Sequence, residues 1–312
     1  MIFVTGSSGY VASNLVPLLK HNHDVVGIDY KPSKNTDIVI DIGSNDLNKE
    51  LKPYTGNEIT IINLAAARFD FGANASRYYY ENVESQKYFL KNISQYKIKN
   101  FIHISSVAAI DGSLISFKDN LSCDDAYRST KFLQEELIKD WCKKNNINLF
   151  ILSPSAIFSN SERIDTNIGK MQKFIKYLPF IPNIKIKKSL TYLPNLSNFI
   201  IKCLQDDFKA GHYLTIERSV LSVSQMIMLL SKKNLRVIEL PLLQANLNFI
   251  AHLLNIIGGF GLIDTKLTPG RVKKLFTDTS YDFLYEERCI DFDLETYSQS
   301  NDDLRSILRS LN

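Results

Sequence analysis

The sequence predicts an α/β fold, with a doubly wound parallel sheet in the first half of the chain and a smaller lobe in the second. Short apolar runs rich in valine and isoleucine alternate with helical segments over roughly the first 155 residues. Such alternation is typical of parallel sheets that carry helices on both faces. Beyond Pro154 the alternation gives way to short elements, frequent prolines and lysine-rich turns, which indicate a second region.

These observations define the expected domains. We predict a first domain of residues 1–155 and a second region of residues 156–312, with a segment at about 189–216 returning to the first domain. The junction has no Gly/Ser-rich linker, and the chain has no internal repeat. Its 312 residues, 45% hydrophobic and 22% charged, suffice for one large core or two smaller ones.

Six strands and three helices account for the first domain. The strand candidates are residues 2–5, 25–29, 37–40, 60–64, 101–105 and 149–152, and the helical segments are residues 11–20, 76–95 and 124–145. In the first helix, Val11 and Leu15 recur at the spacing of one helix face. The last helix follows Ser122 and has Asp124 and Asp125 in its first turn, a pattern typical of helix N-termini.

The composition excludes several classes of protein. The 37 basic and 33 acidic residues are spread along the chain, so the net charge is only +4 and no basic stripe of the kind that binds nucleic acid is present. The cysteines lack the spacing of a zinc site or a disulfide framework, and we expect no metal and a reducing compartment. Because a strand and a glycine turn occupy the N-terminus where a signal peptide would lie, we expect a cytoplasmic protein.

Residues 240–263 form the most apolar stretch of the second region, with His252 as their one ionisable side chain. A membrane-spanning helix needs about 20 predominantly apolar residues. Asn246, Asn248 and Asn255 interrupt this stretch, which favours a buried or amphipathic helix over a transmembrane segment. Peripheral contact with a membrane stays open as an interpretation.

The joint between the first strand and the first helix reads TGSSGYVA. Gly6 and Gly9 lie where backbone N–H groups at a helix N-terminus face an anion, and the absence of a Cβ lets a phosphate approach closely. Ala12 is the third small residue that such a loop needs for close helix–strand packing. A tight structural turn is the alternative interpretation of the same residues.

A carboxylate at the end of the second strand supports a dinucleotide site. Asp29 lies about 20 residues beyond the loop, where ribose hydroxyls need an acceptor. Asp41 and Ile42 end the third strand, where a side chain and a backbone group would meet an adenine ring. The pattern predicts a Rossmann domain that binds NAD, with NADP less favoured because Asp29 repels a 2′-phosphate. Lys31 and Lys34 would weaken this preference.

Further motifs continue the pattern, namely INLAAA at 62–67, Asn82 in YYYENVES, FIHISSVAAIDG at 101–112 and YRSTK at 127–131. Together with the glycine loop they resemble the extended short-chain dehydrogenase/reductase family, in particular its nucleotide-sugar epimerases, dehydratases and 4-keto reductases. The resemblance covers about the first 155 residues, with weaker similarity at residues 191–195 and 267–276. It implies that NAD contacts Gly6, Ser8, Gly9, Tyr10, Val11, Asp29, Asp41, Ile42, Leu64, Ala65, Ala66, Asn82, Ser105, Tyr127, Lys131 and Pro154.

Tyr127 and Lys131 have the spacing that proton transfer needs. The chain has two Tyr-x-x-x-Lys matches, but Tyr30 and Lys34 lie in a loop that contains Pro32. Tyr127 and Lys131 lie in a predicted helix, where residues i and i+4 share a face. A tyrosine that shuttles a proton near neutrality needs a pKa well below its usual value of about 10, and a neighbouring ammonium lowers it. The resemblance assigns Tyr127 as the acid/base and Lys131 as the group that activates it and holds the ribose.

A hydroxyl at the end of the fifth strand should orient the substrate oxygen. The resemblance favours Ser106, aligned forward from the strand, with Ser105 as the alternative. The segment SSVAAIDG is one residue longer than the family pattern and has Asp111 where a tyrosine is usual. Aligning backward from Gly112 would instead put Val107 in the place of the serine. Both serines also suit a role as caps of the strand end.

The segment after the sixth strand departs from the family pattern. The family often has Arg-Pro-Gly there, whereas this chain has Ser153, Pro154 and Ser155. The missing arginine favours a 4-keto reductase or dehydrogenase of a nucleotide-activated sugar over a 4-epimerase. We expect the reaction to serve bacterial surface polysaccharide biosynthesis. The motifs are also compatible with a 3β-hydroxysteroid-type or lipid dehydrogenase and with a non-catalytic NAD-binding protein.

The resemblance also implies partners. The substrate is a nucleotide sugar bound mainly by the second region, and the expected assembly is a homodimer. Four cations of that region are candidates for the diphosphate, although each also suits a solvated surface: Arg163, Lys187, Lys188 and Arg271.

Overall fold

The computed structural model describes residues 1–67, 74–159, 166–217, 220–231, 233–259, 269–281, 294–296 and 308. The chain divides into two compact units. Unit 1 comprises Met1–Ile157, Thr191–Ile216 and Arg288–Gln299, and unit 2 comprises Phe158–Leu190, Glu217–Glu287 and Ser300–Asn312. The large sheet lies in unit 1, whereas unit 2 consists of short strands and helices.

The strands of both units are short. In chain order they are β1 (Ile2–Thr5), β2 (Val25–Asp29), β3 (Ile38–Val39), β4 (Glu58–Asn63), β5 (Lys97–Ile104), β6 (Asn148–Pro154), β7 (Ala156–Phe158), β8 (Ile181–Pro182), β9 (Lys187–Lys188), β10 (Leu190–Tyr192), β11 (Gly211–Thr215), β12 (Leu221–Ser222), β13 (Val237–Ile238) and β14 (Leu294–Thr296).

The helices are α1 (Tyr10–Lys20), α2 (Leu47–Leu51), α3 (Ala75–Tyr79), α4 (Ser85–Ile93), α5 (Val107–Gly112), α6 (Cys123–Lys144), α7 (Asn167–Ile175), α8 (Leu193–Lys202), α9 (Val223–Leu230), α10 (Leu243–Gly259) and α11 (Pro269–Phe276). A 3₁₀ turn (Lys52–Tyr54) follows α2, and a π-helical turn (Tyr80–Glu84) joins α3 to α4.

The sheet of unit 1 is parallel, with the strand order β14-β11-β6-β5-β4-β1-β2-β3. β1 pairs with β2 on one side and with β4 on the other. The strands after β1 are therefore added first on one side, as β2 and β3, and then on the other, beginning with β4. In open α/β sheets, ligands bind at such a switch point, beyond the carboxyl ends of the strands. The doubly wound Rossmann sheet that the sequence predicts is therefore confirmed.

Helices cover both faces of this sheet. On one face, Val4 and Ile62 lie in an apolar cluster with Leu15 of α1 and Phe199 of α8. On the other face, the alternating strand residues join a second cluster, formed by residues that include Phe3, Ile61, Phe89, Phe101 and Ile138. Because successive strand residues point to opposite faces, a single apolar run such as β1 supplies both layers.

The structure corrects two predicted elements. The segment predicted as one helix over 76–95 is two helices, because the π-helical turn Tyr80–Glu84 interrupts it. The fifth strand begins at Lys97, several residues before the predicted start. Its first residues alternate in polarity, and Lys97 forms an ion pair with Glu58 of the adjacent β4 at 2.9 Å, so the apolar run marks only the buried part of the strand.

Unit 2 is assembled from paired short strands and small helices. β8 pairs with β13 in parallel, and β9 pairs with β12 in an antiparallel arrangement. α9 packs against α7 and β8, and its N-terminus is closed by a capping box between Ser222 and Gln225. Ile175, Ile184 and Met226 are among the buried apolar side chains of this unit.

A helix, α10, forms in the apolar stretch at 240–263, as predicted; residues 260–263 lie outside the described part of the chain. Ala251 is fully buried, whereas Phe249 is 71% exposed. In the part of the chain that the structure describes, no helix combines the length and the hydropathy that crossing a bilayer requires.

Candidate functional site

The glycine loop between β1 and α1 forms a cradle that side chains would fill. Gly6 has a φ of +69°, a conformation that residues with a Cβ adopt only with strain. A Cβ on Gly6 would lie 2.8 Å from the backbone nitrogen of Ala65, and one on Gly9 would lie 3.0 Å from the carbonyl oxygen of Gly6. Tyr10 and Val11, both half-buried, open α1 directly after this loop. The loop therefore has the shape that the pyrophosphate of a dinucleotide requires.

Asp29 at the end of β2 is fixed beside this loop. Its Oδ2 accepts hydrogen bonds from the backbone nitrogen and the hydroxyl of Ser8, at 3.0 and 2.8 Å. Its Oδ1 accepts a hydrogen bond from the backbone nitrogen of Lys31 at 2.9 Å. The carboxylate thus lies next to the anion cradle, as a ribose-binding group must. These residues fit a bound NAD.

The structure separates the two residues predicted for the adenine end. Asp41 is exposed, two residues after β3, and its Oδ1 accepts a hydrogen bond from the backbone nitrogen of Gly43 at 2.8 Å. Ile42 is buried in the apolar cluster that includes Phe3 and Ile28. The side chain of Ile42 is thus a core residue, and only its backbone is suited to contact an adenine ring.

The segment that follows β4 forms the floor beneath Gly6. Leu64 and Ala65 are half-buried and Ala66 is exposed. Asn82, fully buried in the π-helical turn, accepts a hydrogen bond from the backbone nitrogen of Ala67 at 2.7 Å. The interruption of the helix thus has a local function, because it directs a buried amide onto the backbone of this floor.

Helix α6 carries Tyr127 and Lys131 on one face. Ser122 caps its N-terminus by accepting a hydrogen bond from the backbone nitrogen of Asp125 at 3.2 Å. The ring of Tyr127 is half-buried and meets the ring of Tyr78 edge-on, with centroids 6.2 Å apart. Lys131, one turn later, is 1% exposed. The prediction that these two residues share a helix is confirmed.

The ammonium group of Lys131 is held by polar partners. Its Nζ donates to the carbonyl oxygen of Ile104 at 3.2 Å and to Oε1 of Gln134 at 2.7 Å. Gln134 in turn donates from Nε2 to the carbonyl oxygen of Ala65 at 3.3 Å. Burial lowers the pKa of Lys131 to about 8, although the negative charge of Glu135 acts to raise it. Gln134 therefore links the lysine to the floor of the glycine loop.

Ser105 and Ser106 end β5 in different environments. Ser105 is buried, and its hydroxyl donates a hydrogen bond to Oε1 of Glu135. Ser106 is half-buried, and its hydroxyl accepts a hydrogen bond from the backbone nitrogen of Ala108 at 3.2 Å as the N-cap of α5. Ser105 is thus turned into the protein. Ser106 does cap a helix, and its less buried hydroxyl keeps a donor for a further partner.

The position of the missing arginine lies inside the protein. Ser153 is fully buried, and its hydroxyl lies 2.8 Å from Nε2 of His212 on the neighbouring β11. Pro154 is buried at the end of β6, and the backbone nitrogen of Ser155 donates to Oγ1 of Thr191 at 2.9 Å. A serine–histidine pair thus occupies the place of the arginine.

The candidate cations of the second region are only partly described. Arg163 and the side chain of Arg271 lie outside the described residues. Lys187 is exposed. Lys188 is half-buried and donates to the carbonyl oxygen of Thr277 at 2.5 Å, and burial lowers its pKa to about 8.

Three polar residues of the site are absent from the predictions: Thr130, Gln134 and Glu135. Gln134 and Glu135 lie three and four positions after Lys131, so helical spacing alone would have placed them on the same inward face. Thr130 accepts a hydrogen bond from Nδ2 of Asn82 at 3.1 Å. Polar side chains at inward positions of a helix are the signal that identifies such residues.

Comparisons with known proteins agree with this geometry. Residues 2–198 match the sequence profile of the "NAD dependent epimerase/dehydratase family". A search of curated proteins returned no match. Among solved structures, the UDP-glucuronic acid 4-epimerase of Bacillus cereus in complex with NAD is similar with a TM-score of 0.62 and 22% identity, over 77% of this chain and 85% of that one.

Two further structures show the same fold. A short-chain dehydrogenase/reductase superfamily protein from Agrobacterium tumefaciens with bound NAD has a TM-score of 0.62 and 18% identity, over 77% of this chain and 85% of that one. The UDP-glucose 4-epimerase of Thermotoga maritima with UDP-glucose has a TM-score of 0.60 and 14% identity, over 76% and 85%. The chain therefore belongs to the NAD-dependent epimerase/dehydratase family and is an NAD-dependent enzyme.

Proposed function

We propose that the enzyme transfers hydride at a secondary alcohol or ketone of a nucleotide-activated sugar, as a 4-keto reductase or the reverse dehydrogenase. The observation that carries the proposal is the hydrogen-bonded contact between α6 and the end of β5. Lys131 lies on the face of α6 that carries Tyr127. Its Nζ donates to the carbonyl oxygen of Ile104, two residues before Ser106. One helix and one strand end thus supply a phenol, an ammonium and a hydroxyl.

Each of these groups has a role in the proposed reaction. The Tyr127 hydroxyl gives its proton to the carbonyl oxygen during reduction, or takes the proton of the alcohol during oxidation. The Lys131 ammonium stabilises the ionised form that this transfer leaves behind and binds the ribose hydroxyls. The free donor of Ser106 orients the reacting oxygen. NAD, when bound, supplies or accepts the hydride.

The cofactor-binding set is part of the proposal. The glycine loop with Ser8, Tyr10 and Val11 would hold the pyrophosphate, and Asp29 the ribose. Asp41 and the backbone of Ile42 would border the adenine. The remaining contacts toward the nicotinamide end are proposed for Leu64, Ala65, Ala66, Asn82 and Pro154, and for the backbone of Ser105, whose hydroxyl is bonded to Glu135.

The choice of a reductase rests on the end of β6 and the residues that follow it. An arginine at position 153 would have to enter the interior, where Ser153 already meets His212. The contacts that other family members make through this segment are therefore altered. An epimerase must hold the sugar while it reverses the configuration of one carbon, and we infer that this binding is altered too. A role in bacterial surface polysaccharide biosynthesis belongs to the same proposal.

A 4-epimerase is the second candidate. It is favoured by the similar solved structures, several of which are 4-epimerases of UDP-sugars, including the UDP-N-acetylglucosamine 4-epimerase of Bacillus cereus. In an epimerase the hydride returns to the same carbon, so NAD stays bound and no net oxidation occurs.

The two candidates differ in what the purified protein contains and consumes. The protein is assayed for bound nucleotide and then incubated with UDP-, GDP- and dTDP-activated sugars and their 4-keto derivatives. We expect little bound NAD and a fall in NADH absorbance with one 4-keto sugar nucleotide. Tightly bound NAD, together with interconversion of two sugars at constant NADH, would establish the epimerase instead.

A further inference from the structure

Glu135 is a buried carboxylate to which the proposed mechanism gives no role. It lies on α6 one helical turn after Lys131 and is 3% exposed. Glutamate is seldom buried to this extent unless a partner offsets the loss of hydration. Its surroundings therefore indicate what it contributes.

Two inward residues of α6, one helical turn apart, hold the end of β5. The hydroxyl of Ser105 donates to Oε1 of Glu135, and the carbonyl oxygen of Ile104 accepts from Nζ of Lys131 at 3.2 Å. Both contacts immediately precede Ser106. Ser106 has an extended backbone and is half-buried, so its side chain points to the opposite side from that of the buried Ser105.

Glu135 also lies one helical turn after Lys131 on the inward face of α6, and its charge opposes the effect of burial on the ammonium. Among the described residues, the ionisable groups that act on this pair include Lys139 and Glu136 on α6 and His103 on β5, with His212 of β11 near His103. Burial holds the pKa of both histidines well below its ordinary value, so these rings are neutral near pH 7. Lys139, whose Nζ lies 3.8 Å from Oε2 of Glu135, is more exposed and also pairs with Glu136 at 2.9 Å.

We propose that Glu135 is a positioning residue of the active site, which keeps Lys131 charged and fixes the serine turn at Ser105 and Ser106. The inference rests on the proposed function, because Lys131 and Ser106 act in it. It makes a separable claim about charge, since burial lowers the pKa of Lys131 to about 8 while Glu135 opposes that decrease. Lys131 carries its charge below this pKa and loses it as the pH rises.

Two substitutions separate the charge of Glu135 from its anchoring contact. Glu135→Gln keeps an oxygen that accepts from Ser105 but removes the negative charge. Ser105→Ala removes the anchor and keeps the charge. Glu136→Gln is the matched control, because it removes the same charge from an exposed neighbour on the same helix.

The pKa of Lys131 is measured directly in the protein without cofactor, by NMR of ε-¹³C-labelled lysine, with the signal assigned through Lys131→Met. We expect Glu135→Gln to lower the midpoint by about one pH unit or more, and Glu136→Gln and Ser105→Ala to leave it near that of the parent. In the active enzyme, Glu135→Gln should retain most of its kcat at pH 6 and lose about tenfold at pH 8.5.

The anchor has its own signature. Ser105→Ala should lower kcat by a similar factor at every pH, without moving the alkaline limb of the profile. If Glu135→Gln does not fold, Glu135→Asp takes its place. This variant keeps the negative charge, but its shorter side chain no longer reaches the hydroxyl of Ser105. It should lower kcat and leave the NMR midpoint of Lys131 near that of the parent.

An unchanged Lys131 midpoint in Glu135→Gln, or an unchanged kcat in Ser105→Ala or Glu135→Asp, would overturn the inference. The NMR titration needs neither substrate nor turnover. A failure of the proposed reaction is therefore distinguishable from a failure of this role for Glu135.

Discussion

Two adjacent serines illustrate how single residues define the chemistry of the site. Ser105 is buried and bonded to Glu135, whereas Ser106 is half-buried and caps α5 through its oxygen. A serine hydroxyl has one donor and two acceptor positions, so the capping contact leaves the Ser106 proton available. Ser106 rather than Ser105 is therefore the residue we assign to the substrate oxygen.

Tyr127→Phe tests the proton shuttle. The substitution removes a hydroxyl and keeps the ring, so the edge-on contact with Tyr78 should persist. We expect NADH affinity and thermal stability near those of the parent and a fall in kcat of about 10²-fold or more, measured under saturating substrate. Tyr177→Phe, at a residue that is 84% exposed, is the control. Full activity in Tyr127→Phe would locate the proton donor elsewhere.

Asp29→Asn tests the selection of NAD. The amide keeps most of the size of the side chain but no longer repels a 2′-phosphate. We expect NADH binding to weaken and the ratio of NADPH to NADH affinity to rise by about tenfold, as followed by fluorescence titration. Asp37→Asn is the control. Asp37 accepts a hydrogen bond from the backbone nitrogen of Gly27, which lies on the same strand as Asp29. A parent protein that binds NADP as tightly as NAD would contradict the assignment.

At the scale of elements, the glycine loop before α1 packs directly on the segment that follows β4. Gly6→Ala should destabilise the protein by about 1–2 kcal/mol or more from the left-handed backbone alone, with an additional cost from the contact with Ala65. Gly56→Ala is the matched control, because Gly56 has a φ of +96° and open space around its Cα. Urea unfolding and NADH titration should show a larger loss of both stability and affinity for Gly6→Ala; equal effects would contradict the cradle.

The π-helical turn is the second element to test. Asn82→Ala leaves the buried backbone nitrogen of Ala67 without its acceptor and removes the donor to Thr130. We expect a loss of about 1–3 kcal/mol in the free energy of unfolding and weaker NADH binding. Asn92→Ala on α4, which removes a hydrogen bond to the carbonyl oxygen of Ser44, should destabilise without changing NADH affinity. Unchanged affinity in both variants would show that the turn serves folding alone.

The sequence predicts those elements whose signal is local. The apolar runs at β1 and β2 and the caps around α6 are contiguous patterns, and the structure matches them closely. The π-helical turn, the Ser105–Glu135 contact and the Ser153–His212 pair were not predicted. They depend on which side chains meet across strands and helices that are between 15 and 59 positions apart in the chain, and no local pattern specifies that.

At the scale of the whole molecule, unit 1 recruits two distant segments, Thr191–Ile216 and Arg288–Gln299. β11 and β14 extend its sheet beyond β6, on the side away from the glycine loop. The chain thus completes its dinucleotide-binding unit only after much of unit 2 has been made. The homodimer expected from the resemblance stays a prediction, to be measured by light scattering of the eluted protein.

Net transfer of hydride to a sugar nucleotide is the central claim, and isotope transfer tests it most directly. The enzyme is incubated with NADH deuterated at the transferable position of C4 and with the 4-keto sugar nucleotide that supports turnover. We predict one deuterium at the reduced sugar carbon for each NADH consumed, and a transfer rate about 10²-fold or more lower in Tyr127→Phe. Sugar interconversion with unlabelled product and undiminished NADH would contradict the account.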